Sequence, residues 1–236
     1  QLVDERIVGR MPARLDFAEA AALPLTAITA WELLFDRLGV APGKRPSKDS
    51  LLIVGAAGGV GSILTQLASR LTSLTVIGTA SRPETQSWVR ELGAHHVIDH
   101  SKPFAEDLKR IGLKNVTMVV SLNNTEGHFA QIADIIAPQG RFALIDDPTK
   151  PLDIMKLKGK SISLHWELMF TRSLFQTDDM IAQHRLLNEV AALVDERVIR
   201  TTFGDHFGSI NAANLKRAHA HIESGKARGK IVLEGF

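Results

Sequence analysis

The chain of 236 residues contains no cysteine and no tyrosine. Without cysteine, these residues cannot form a disulfide, a catalytic thiolate or a cysteine-ligated zinc site. Apolar runs are short, and we expect none to approach the ~20 residues that span a bilayer. The opening QLVDERIVGR resembles neither a signal peptide nor the start of a translated chain. We therefore expect a cytoplasmic protein with no membrane association, whose sequence here is a piece of a longer polypeptide.

The chain also has little excess of charge of either sign, with a formal net charge of only +2. The pI of 9.0 is misleading, because without cysteine or tyrosine little titrates between pH 7 and 9. Basic residues are scattered, apart from short clusters at 44–48 and 226–230. We therefore predict no nucleic-acid partner and expect a small-molecule substrate. A hydrophobic content of 44% with 23% charged residues is typical of a globular protein.

Short β-branched apolar runs alternate with helical patterns along the first two thirds of the chain. Strands that alternate with helices of about ten residues indicate βαβ units. We therefore predict an α/β fold, a doubly wound parallel sheet with helices on both faces. The predicted strands are 51–54, 75–79, 96–99, 117–121, 141–145 and 161–166, and the predicted helices are 62–71, 84–92, 104–111 and 128–136.

The glycines and the last third of the chain add further elements to this prediction. Gly93, Gly112 and Gly140 follow three of the helices, where a left-handed residue commonly ends a helix. Beyond residue 167 the alternation stops. The pattern there predicts a helix at 178–196, an extended piece at 199–203, a helix at 211–224 and a final strand at 230–234.

The most specific pattern is LLIVGAAGGVG at 51–61, an apolar strand that ends in a glycine-rich turn before a helix. Ala56-x-Gly58-x-x-Gly61 in this context fits the turn that holds a dinucleotide pyrophosphate. Gly58 would let the backbone approach the phosphates, and Gly61 would let the helix pack close to the strand. We predict that the cofactor contacts Gly58, Gly59, Val60 and Gly61, the last two at the helix N-terminus. The alternative is a tight turn that binds nothing.

The end of the second predicted strand indicates which dinucleotide is bound. Folds that prefer NAD usually place a carboxylate there to bind the ribose 2′-hydroxyl. This chain has Thr79-Ala80-Ser81-Arg82 instead. An arginine offers several donors to a phosphate dianion, so we predict that Ser81 and Arg82 bind the 2′-phosphate of NADP(H). The alternative is a solvated arginine at a helix start.

Three rival classes are disfavoured by residues that the chain lacks. Short-chain dehydrogenases need a tyrosine and a lysine four residues apart as their proton donor pair, and there is no tyrosine. Methyltransferases that use S-adenosylmethionine, and FAD-binding folds, usually carry an acid at the end of the second strand. That acid is also missing.

Several motifs in order resemble the medium-chain dehydrogenase/reductase superfamily, and most closely its quinone-oxidoreductase branch and the zinc-type alcohol dehydrogenase-like proteins within it. The resemblance implies a Rossmann NADP-binding domain at 26–167. It implies that residues 1–25 are the exit of a GroES-like catalytic domain, which is otherwise N-terminally truncated, and that 168–236 return to it. The motifs are DFAEAAALPLTAITAWELL, AAGGVGSILTQLA, VIGTASRPET, ELGAHHVIDH and GKARGKIVLEGF.

The residues argue against zinc within this segment, despite the name of the group. Zinc-dependent members supply a carboxylate or cysteine before the helix that enters the Rossmann domain, commonly in a Glu-Pro-Leu tripeptide. The matching stretch here is Leu23-Pro24-Leu25, which offers no ligand. Histidines 95 and 96 would point to opposite faces of a strand, so with Asp99 and His100 they make a poor cluster. Those at 219 and 221 do not share a helix face. We predict no metal site.

The resemblance implies hydride transfer from NADPH to a quinone or an α,β-unsaturated carbonyl. The cofactor supplies the hydride, and the protein orients it and polarises the acceptor oxygen. Thr29 matches a position that faces the nicotinamide in relatives, its alternative being a buried hydroxyl bonded backward along the helix. Lys226 or Arg228 matches a region that brings a basic residue near the cofactor. The sequence names no catalytic acid.

Two other functions stay open on the sequence alone. One is a zinc-dependent alcohol dehydrogenase whose ligands lie upstream of residue 1. The other is a non-catalytic NADP(H)-binding protein.

The run SISLHW at 161–166 predicts the quaternary structure. A parallel sheet that ends in an exposed apolar strand leaves an unpaired edge that needs covering. The resemblance implies that two copies pair this edge across a two-fold axis, so we expect a homodimer. For His165 and Glu167, on or next to this strand, a structural role is favoured over one beside the nicotinamide.

Overall fold

The computed structural model describes residues 2–235 and contains a central sheet of six parallel strands. These strands are β1 (Ser50–Val54), β2 (Thr75–Thr79), β3 (His96–Ile98), β4 (Val116–Ser121), β5 (Ile136–Leu144) and β6 (Ser163–Trp166). Their order across the sheet is β3-β2-β1-β4-β5-β6. The chain order reverses between β1 and β4, which opens a crevice at the carboxyl ends of these two strands.

Helices connect and cover the strands. They are α1 (Phe17–Ala21), α2 (Pro24–Trp31), α3 (Gly59–Leu71), α4 (Pro83–Glu91), α5 (Phe104–Arg110), α6 (Thr125–Ile135), α7 (Met155–Lys158), α8 (Thr171–Phe175), α9 (Ile181–Asp195) and α10 (Ala212–Glu223). Glu5–Ile7 form a 3₁₀ turn, and α2 continues as a π-helix over Glu32–Arg37. Two short parallel strands, β7 (Phe203–His206) and β8 (Lys230–Val232), form a second sheet.

The alternation of side chains along β1 shows how both faces of the sheet are covered. Leu51 and Ile53 belong to a core shared with α2, α3, α4 and α9. Leu52 and Val54 belong to the opposite core, shared with α5 and α6. Successive residues of a strand point to opposite faces, and all four side chains are buried because helices cover both faces. The predicted doubly wound α/β fold is confirmed.

Several predicted boundaries are confirmed and others are wrong. Gly93 and Gly112 have φ of +107° and +82° and follow their helices as predicted. Gly140 does not end a helix, because α6 passes directly into β5 at Ile136 and the left-handed residue there is Gln139. The strand predicted at 161–166 begins only at Ser163, after a left-handed Ser161.

Of the extended piece predicted at 199–203, only Phe203 belongs to a strand, as the first residue of β7. The Gln66 side chain of α3 forms two hydrogen bonds with the backbone of this stretch. Its Oε1 accepts from the Arg200 N–H at 2.8 Å, and its Nε2 donates to the Arg200 carbonyl at 3.1 Å. At Arg200 the backbone therefore pairs with the Gln66 side chain and not with a neighbouring strand.

Residues Phe17–Arg37 form one stretch that is long and apolar enough to cross a membrane. This corrects the expectation that no such run occurs. Most of the stretch is buried inside the fold, where α2 packs against α3 and α9. Its apolar character follows from its position in the core.

Candidate functional site

A cleft of about 480 Å³ opens at the carboxyl edge of the sheet, where the strand order reverses. The turn after β1 forms its base, and the end of β2, the loop after β4 and the C-terminal stretch 225–231 form its walls. Its volume is in the range of small-molecule and cofactor sites. A second hollow, of about 370 Å³, lies between residues 7–12 and α9 and is lined mainly by apolar side chains. It is away from the strand ends, so we place the site in the larger cleft.

The glycine-rich turn is shaped by two close backbone approaches. Gly55 has φ of +83°, and its N–H donates to Thr79 Oγ1 at 3.0 Å. A Cβ on Gly61 would lie 2.4 Å from the Gly55 carbonyl oxygen, so only glycine lets α3 start this close to β1. A Cβ on Gly58 would meet the same oxygen at an ordinary 3.5 Å. The fold therefore requires glycine at 61 but leaves room for a Cβ at 58.

The start of α3 presents free backbone donors to the cleft. Gly58 is the N-cap, and no side chain caps the helix. The first N–H groups of the helix, at Gly59, Val60 and Gly61, have no acceptor within the helix. All three residues line the cleft. Donors at the positive end of a helix of 13 residues form a suitable site for a phosphate anion.

Arg82 borders the cleft but also binds the C-terminal stretch. Its Nη1 and Nη2 donate to the carbonyls of Gly225 and Lys226 at 3.1 and 2.8 Å, and its Nε donates to Glu84 at 2.7 Å. Arg82 is therefore not a solvated arginine. These contacts use three of its five guanidinium N–H groups, and one N–H on each Nη is left for a phosphate. The neighbouring Ser81 lines the cleft and is exposed.

The C-terminal stretch is hydrogen-bonded to the glycine-rich turn, and one of its cations lines the cleft. The Gly229 N–H donates to the Ala57 carbonyl at 2.9 Å. Lys230 lines the cleft, and its Cδ is 2.7 Å from where a Cβ of Gly59 would be. Arg228 instead lies over the Trp88 ring, 4.8 Å from its centroid, and does not line the cleft. The structure therefore favours Lys230 over Arg228 as the basic residue from this region.

The described residues that line the cleft include Arg82, Lys230 and His100 but no carboxylate. The sequence analysis considered His100 only as a metal ligand. It lies two residues after the end of β3, at the same sheet edge as the glycine-rich turn, and this position is the signal that was missed. Burial lowers the pKa of His100, and Arg82 lowers it further, while Asp99 opposes the shift. The imidazole is therefore neutral at pH 7, and the fixed charges that line the cleft are positive.

Thr29 does not line the cleft. Its hydroxyl donates to the Leu25 carbonyl at 3.0 Å, and the residue is 5% exposed. This geometry matches the alternative of a buried hydroxyl bonded backward along the helix. Thr26, one turn earlier on α2, lines the cleft instead. A role for Thr29 beside the nicotinamide remains a prediction.

The residues present do not fit a zinc ion. Within residues 2–235 no group of three histidine, cysteine or carboxylate side chains could hold a metal. Leu23, where zinc-dependent relatives place a ligand, is buried in the core. His95 Nδ1 accepts from the Val76 N–H at 2.9 Å, so that ring nitrogen is already used.

A glycine-rich turn and a helix N-terminus at the switch point of a doubly wound sheet define a dinucleotide-binding α/β protein. Comparison with known proteins gives the family. The model of the zinc-binding dehydrogenase family matches residues 92–233. A zinc-type alcohol dehydrogenase-like protein of Staphylococcus aureus is 37% identical over 235 residues, which are 99% of this chain and 69% of that protein.

Solved structures agree with this assignment. A Rhizobium etli CFN 42 protein, assigned provisionally as a zinc-dependent alcohol dehydrogenase, is 62% identical, with a TM-score of 0.93 over 100% of this chain and 69% of its own. A mycobacterial protein in complex with NADPH is 27% identical, with a TM-score of 0.80, and the match covers 96% of this chain and 67% of that protein. The CurK enoyl reductase is 25% identical, with a TM-score of 0.80, and the match covers 98% of this chain and 67% of that protein.

The chain belongs to the zinc-type alcohol dehydrogenase-like family of the medium-chain dehydrogenase/reductase superfamily. This is a family of oxidoreductases that resemble alcohol dehydrogenases and enoyl reductases.

Proposed function

We propose that the protein binds NADPH and transfers its hydride to a quinone or an α,β-unsaturated carbonyl compound. The observation that carries the proposal is the charge of the cleft, which is lined by Arg82 and Lys230 and by no carboxylate. A carboxylate at the end of β2 would favour NADH, whereas cations favour the 2′-phosphate of NADPH. Similarity to an NADPH-bound structure and to an enoyl reductase supports the same proposal.

The residues of the chain act on the cofactor by binding and orienting it. The backbone N–H groups of 59–61 hold the pyrophosphate, and Gly61 keeps them in place by letting α3 approach β1. Ser81 and Arg82 would bind the 2′-phosphate, and Lys230, which packs beside Gly59, would add a positive charge next to the turn. The C-terminal stretch, held by the Gly229 hydrogen bond, covers the turn. When bound, NADPH supplies the hydride.

We expect the full-length protein to consume NADPH with quinones and enones and to leave saturated ketones unreduced, because a conjugated acceptor delocalises the charge that hydride transfer creates. The measurement is NADPH absorbance loss across a matched panel, with and without a chelator. Chelator-sensitive alcohol oxidation would indicate a zinc enzyme instead. NADPH binding without turnover on any acceptor would indicate a non-catalytic binding protein.

We infer that two copies pair through β6. This strand is at the open edge of the sheet, and Trp166 is 56% exposed on it. Leu168 and Phe170, just beyond the strand, are about half exposed. An exposed apolar edge strand is a site for pairing with a second chain. We expect light scattering at micromolar concentration to report a dimer and Trp166→Lys to shift it toward monomer. A monomeric parent protein would contradict the inference.

We further infer the domain division 1–25, 26–167 and 168–236, with GroES-like parts at both ends and a cytoplasmic location. Two structural boundaries support the division. α2 begins at Pro24, and the last strand of the central sheet ends at Trp166.

A further inference from the structure

Two glutamates that the proposed function does not use are buried against each other beside the edge strand. Glu32 opens the π-helical continuation of α2, and Glu167 directly follows β6. Their side chains are 1% and 0% exposed. Arg37 Nε donates to Glu167 Oε2 at 2.7 Å, and Arg172 Nη1 forms an ion pair with Glu32 Oε1 at 2.6 Å. Gln183 Nε2 donates to the same Glu32 oxygen at 3.0 Å.

Each carboxyl group has one oxygen left over. Glu32 Oε2 and Glu167 Oε1 are buried and have no hydrogen-bond partner among the described residues. One guanidinium joins the two groups, because Arg37 Nη2 is 3.9 Å from Glu32 Oε2 and Arg37 Nε is 2.7 Å from Glu167 Oε2. Two buried carboxylates cannot both ionise this close together without strong repulsion, and each unpaired buried oxygen is costly. One proton between the two leftover oxygens removes both costs.

We propose that Glu32 and Glu167 share one proton and form a pH-sensitive latch, which holds segment 167–179 against the π-helix while the proton is present and loosens the segment when the proton is lost. This inference goes beyond the proposed function and does not depend on the cofactor.

The segment is tied to the rest of the protein through this cluster and through two other hydrogen bonds. The Glu167 N–H donates to the Leu144 carbonyl at 3.1 Å, and Gln183 Nε2 donates to the Met169 carbonyl at 2.6 Å. Arg172 of α8 donates to Asp36 of the π-helix at 3.0 Å and to Asp179 before α9 at 3.0 Å. Arg172 therefore joins the π-helix, at Glu32 and Asp36, to the C-terminal end of the segment, at Asp179. The segment also carries Leu174 and Phe175, which are 67% and 76% exposed. Its position next to the β6 edge places the latch beside the inferred dimer face.

Burial and the charge of Glu32 keep the proton in place at neutral pH, against the neighbouring cations Arg37 and Arg172. Burial, and then Glu32, raise the pKa of Glu167 to about 8, while Arg37 opposes the shift. α9 contributes only the neutral Gln183, and the Asp36 and Asp179 carboxylates are paired with Arg172. From the sheet, His165 of β6 faces Arg37 and Arg141 of β5, and burial followed by these cations lowers the pKa of His165. Neutral at pH 7, His165 adds no charge there.

The raised pKa sets the direction of the pH dependence. Between the ordinary value of 4.5 and about 8, the folded protein holds a proton that the unfolded chain has lost. The contribution of this proton to stability is therefore fully present below pH 4.5, is lost as pH rises through this window and is absent above it. One proton changes the unfolding equilibrium constant by up to about tenfold per pH unit.

The test compares Glu167→Gln with the parent. Glutamine keeps a donor for the Glu32 oxygen but cannot titrate. We expect Glu167→Gln to remove the decrease in stability that the parent shows as the pH rises from about 5 to 8. We also expect it to abolish the faster hydrogen exchange of residues 168–179 that the parent shows above pH 8, after correction for intrinsic rates. The control Glu106→Gln, at an exposed glutamate of α5, should behave as the parent.

A Glu167→Gln profile that superimposes on the parent would overturn the proposal. Glu32→Gln gives the same comparison if the first variant does not fold. Infrared difference spectra of the unmodified protein need no variant. They should show the C=O band of a protonated carboxyl disappearing near pH 8, and its absence at pH 6 would equally overturn the latch.

Discussion

Replacing Gly61 with valine is expected to abolish NADPH binding and to lower the melting temperature. A Cβ at this position would lie 2.4 Å from the Gly55 carbonyl oxygen and 2.6 Å from Ala56 Cα, and both are backbone atoms. Neither can move aside alone, so α3 must shift away from β1. Overpacking of this kind costs about 1–3 kcal/mol of stability. The same shift moves the N–H groups of 59–61 away from the pyrophosphate. Calorimetry with NADPH and thermal unfolding measure the two effects.

Gly58→Ala separates cofactor binding from packing. A Cβ there would meet only the Gly55 oxygen, at 3.5 Å, and the backbone of Gly58 is extended, with φ of −73°. We expect the melting temperature to stay at the parent value while NADPH binding weakens, because the added methyl group separates the backbone from the phosphates. If Gly61→Val bound NADPH as tightly as the parent, the assignment of the turn to the pyrophosphate would be wrong.

Replacing Arg82 with alanine weakens NADPH binding by about ten- to a hundredfold. The reason is the loss of a charge-assisted hydrogen bond to the 2′-phosphate, worth about 1.5–3 kcal/mol. NADH lacks this phosphate, so its affinity should change far less. Titration calorimetry with both dinucleotides measures the difference.

Arg82 also holds the carbonyls of Gly225 and Lys226, so its replacement needs a control for that contact. Arg82→Gln keeps donors for the carbonyls and removes the charge, and it should lose NADPH affinity selectively. Lys226→Ala removes a nearby cation whose backbone alone binds Arg82, and it should leave the selectivity unchanged. An equal loss for both dinucleotides in Arg82→Ala would show that the residue serves only to hold the C-terminal stretch.

The central sheet could be predicted closely because its strands are short apolar runs buried on both faces. The prediction of 51–54 differs from β1 by one residue, and 75–79 matches β2. The glycine-rich turn could equally be predicted, since Gly61 is needed for the close approach of α3 to the end of β1, which is a local contact. Gly140 failed because sequence spacing does not show that α6 runs directly into β5.

The rest of the candidate site depends on contacts between residues far apart in the chain. Arg82 meets the carbonyls at 225 and 226 only because the C-terminal stretch returns to the sheet edge. The choice of Lys230 over Arg228 follows from the stacking of Arg228 on Trp88. Glu32 and Glu167 likewise come together only through the packing of α2 beside β6. No local pattern of residues encodes these pairings.

The most direct test of the proposed function is the ratio of NADH to NADPH dissociation constants for the unmodified protein, measured by titration calorimetry at constant ionic strength. A cleft lined by Arg82 and Lys230 and free of carboxylates predicts that NADPH binds at least about tenfold more tightly, the value of one charge-assisted hydrogen bond. Equal affinities, or tighter binding of NADH, would contradict the account.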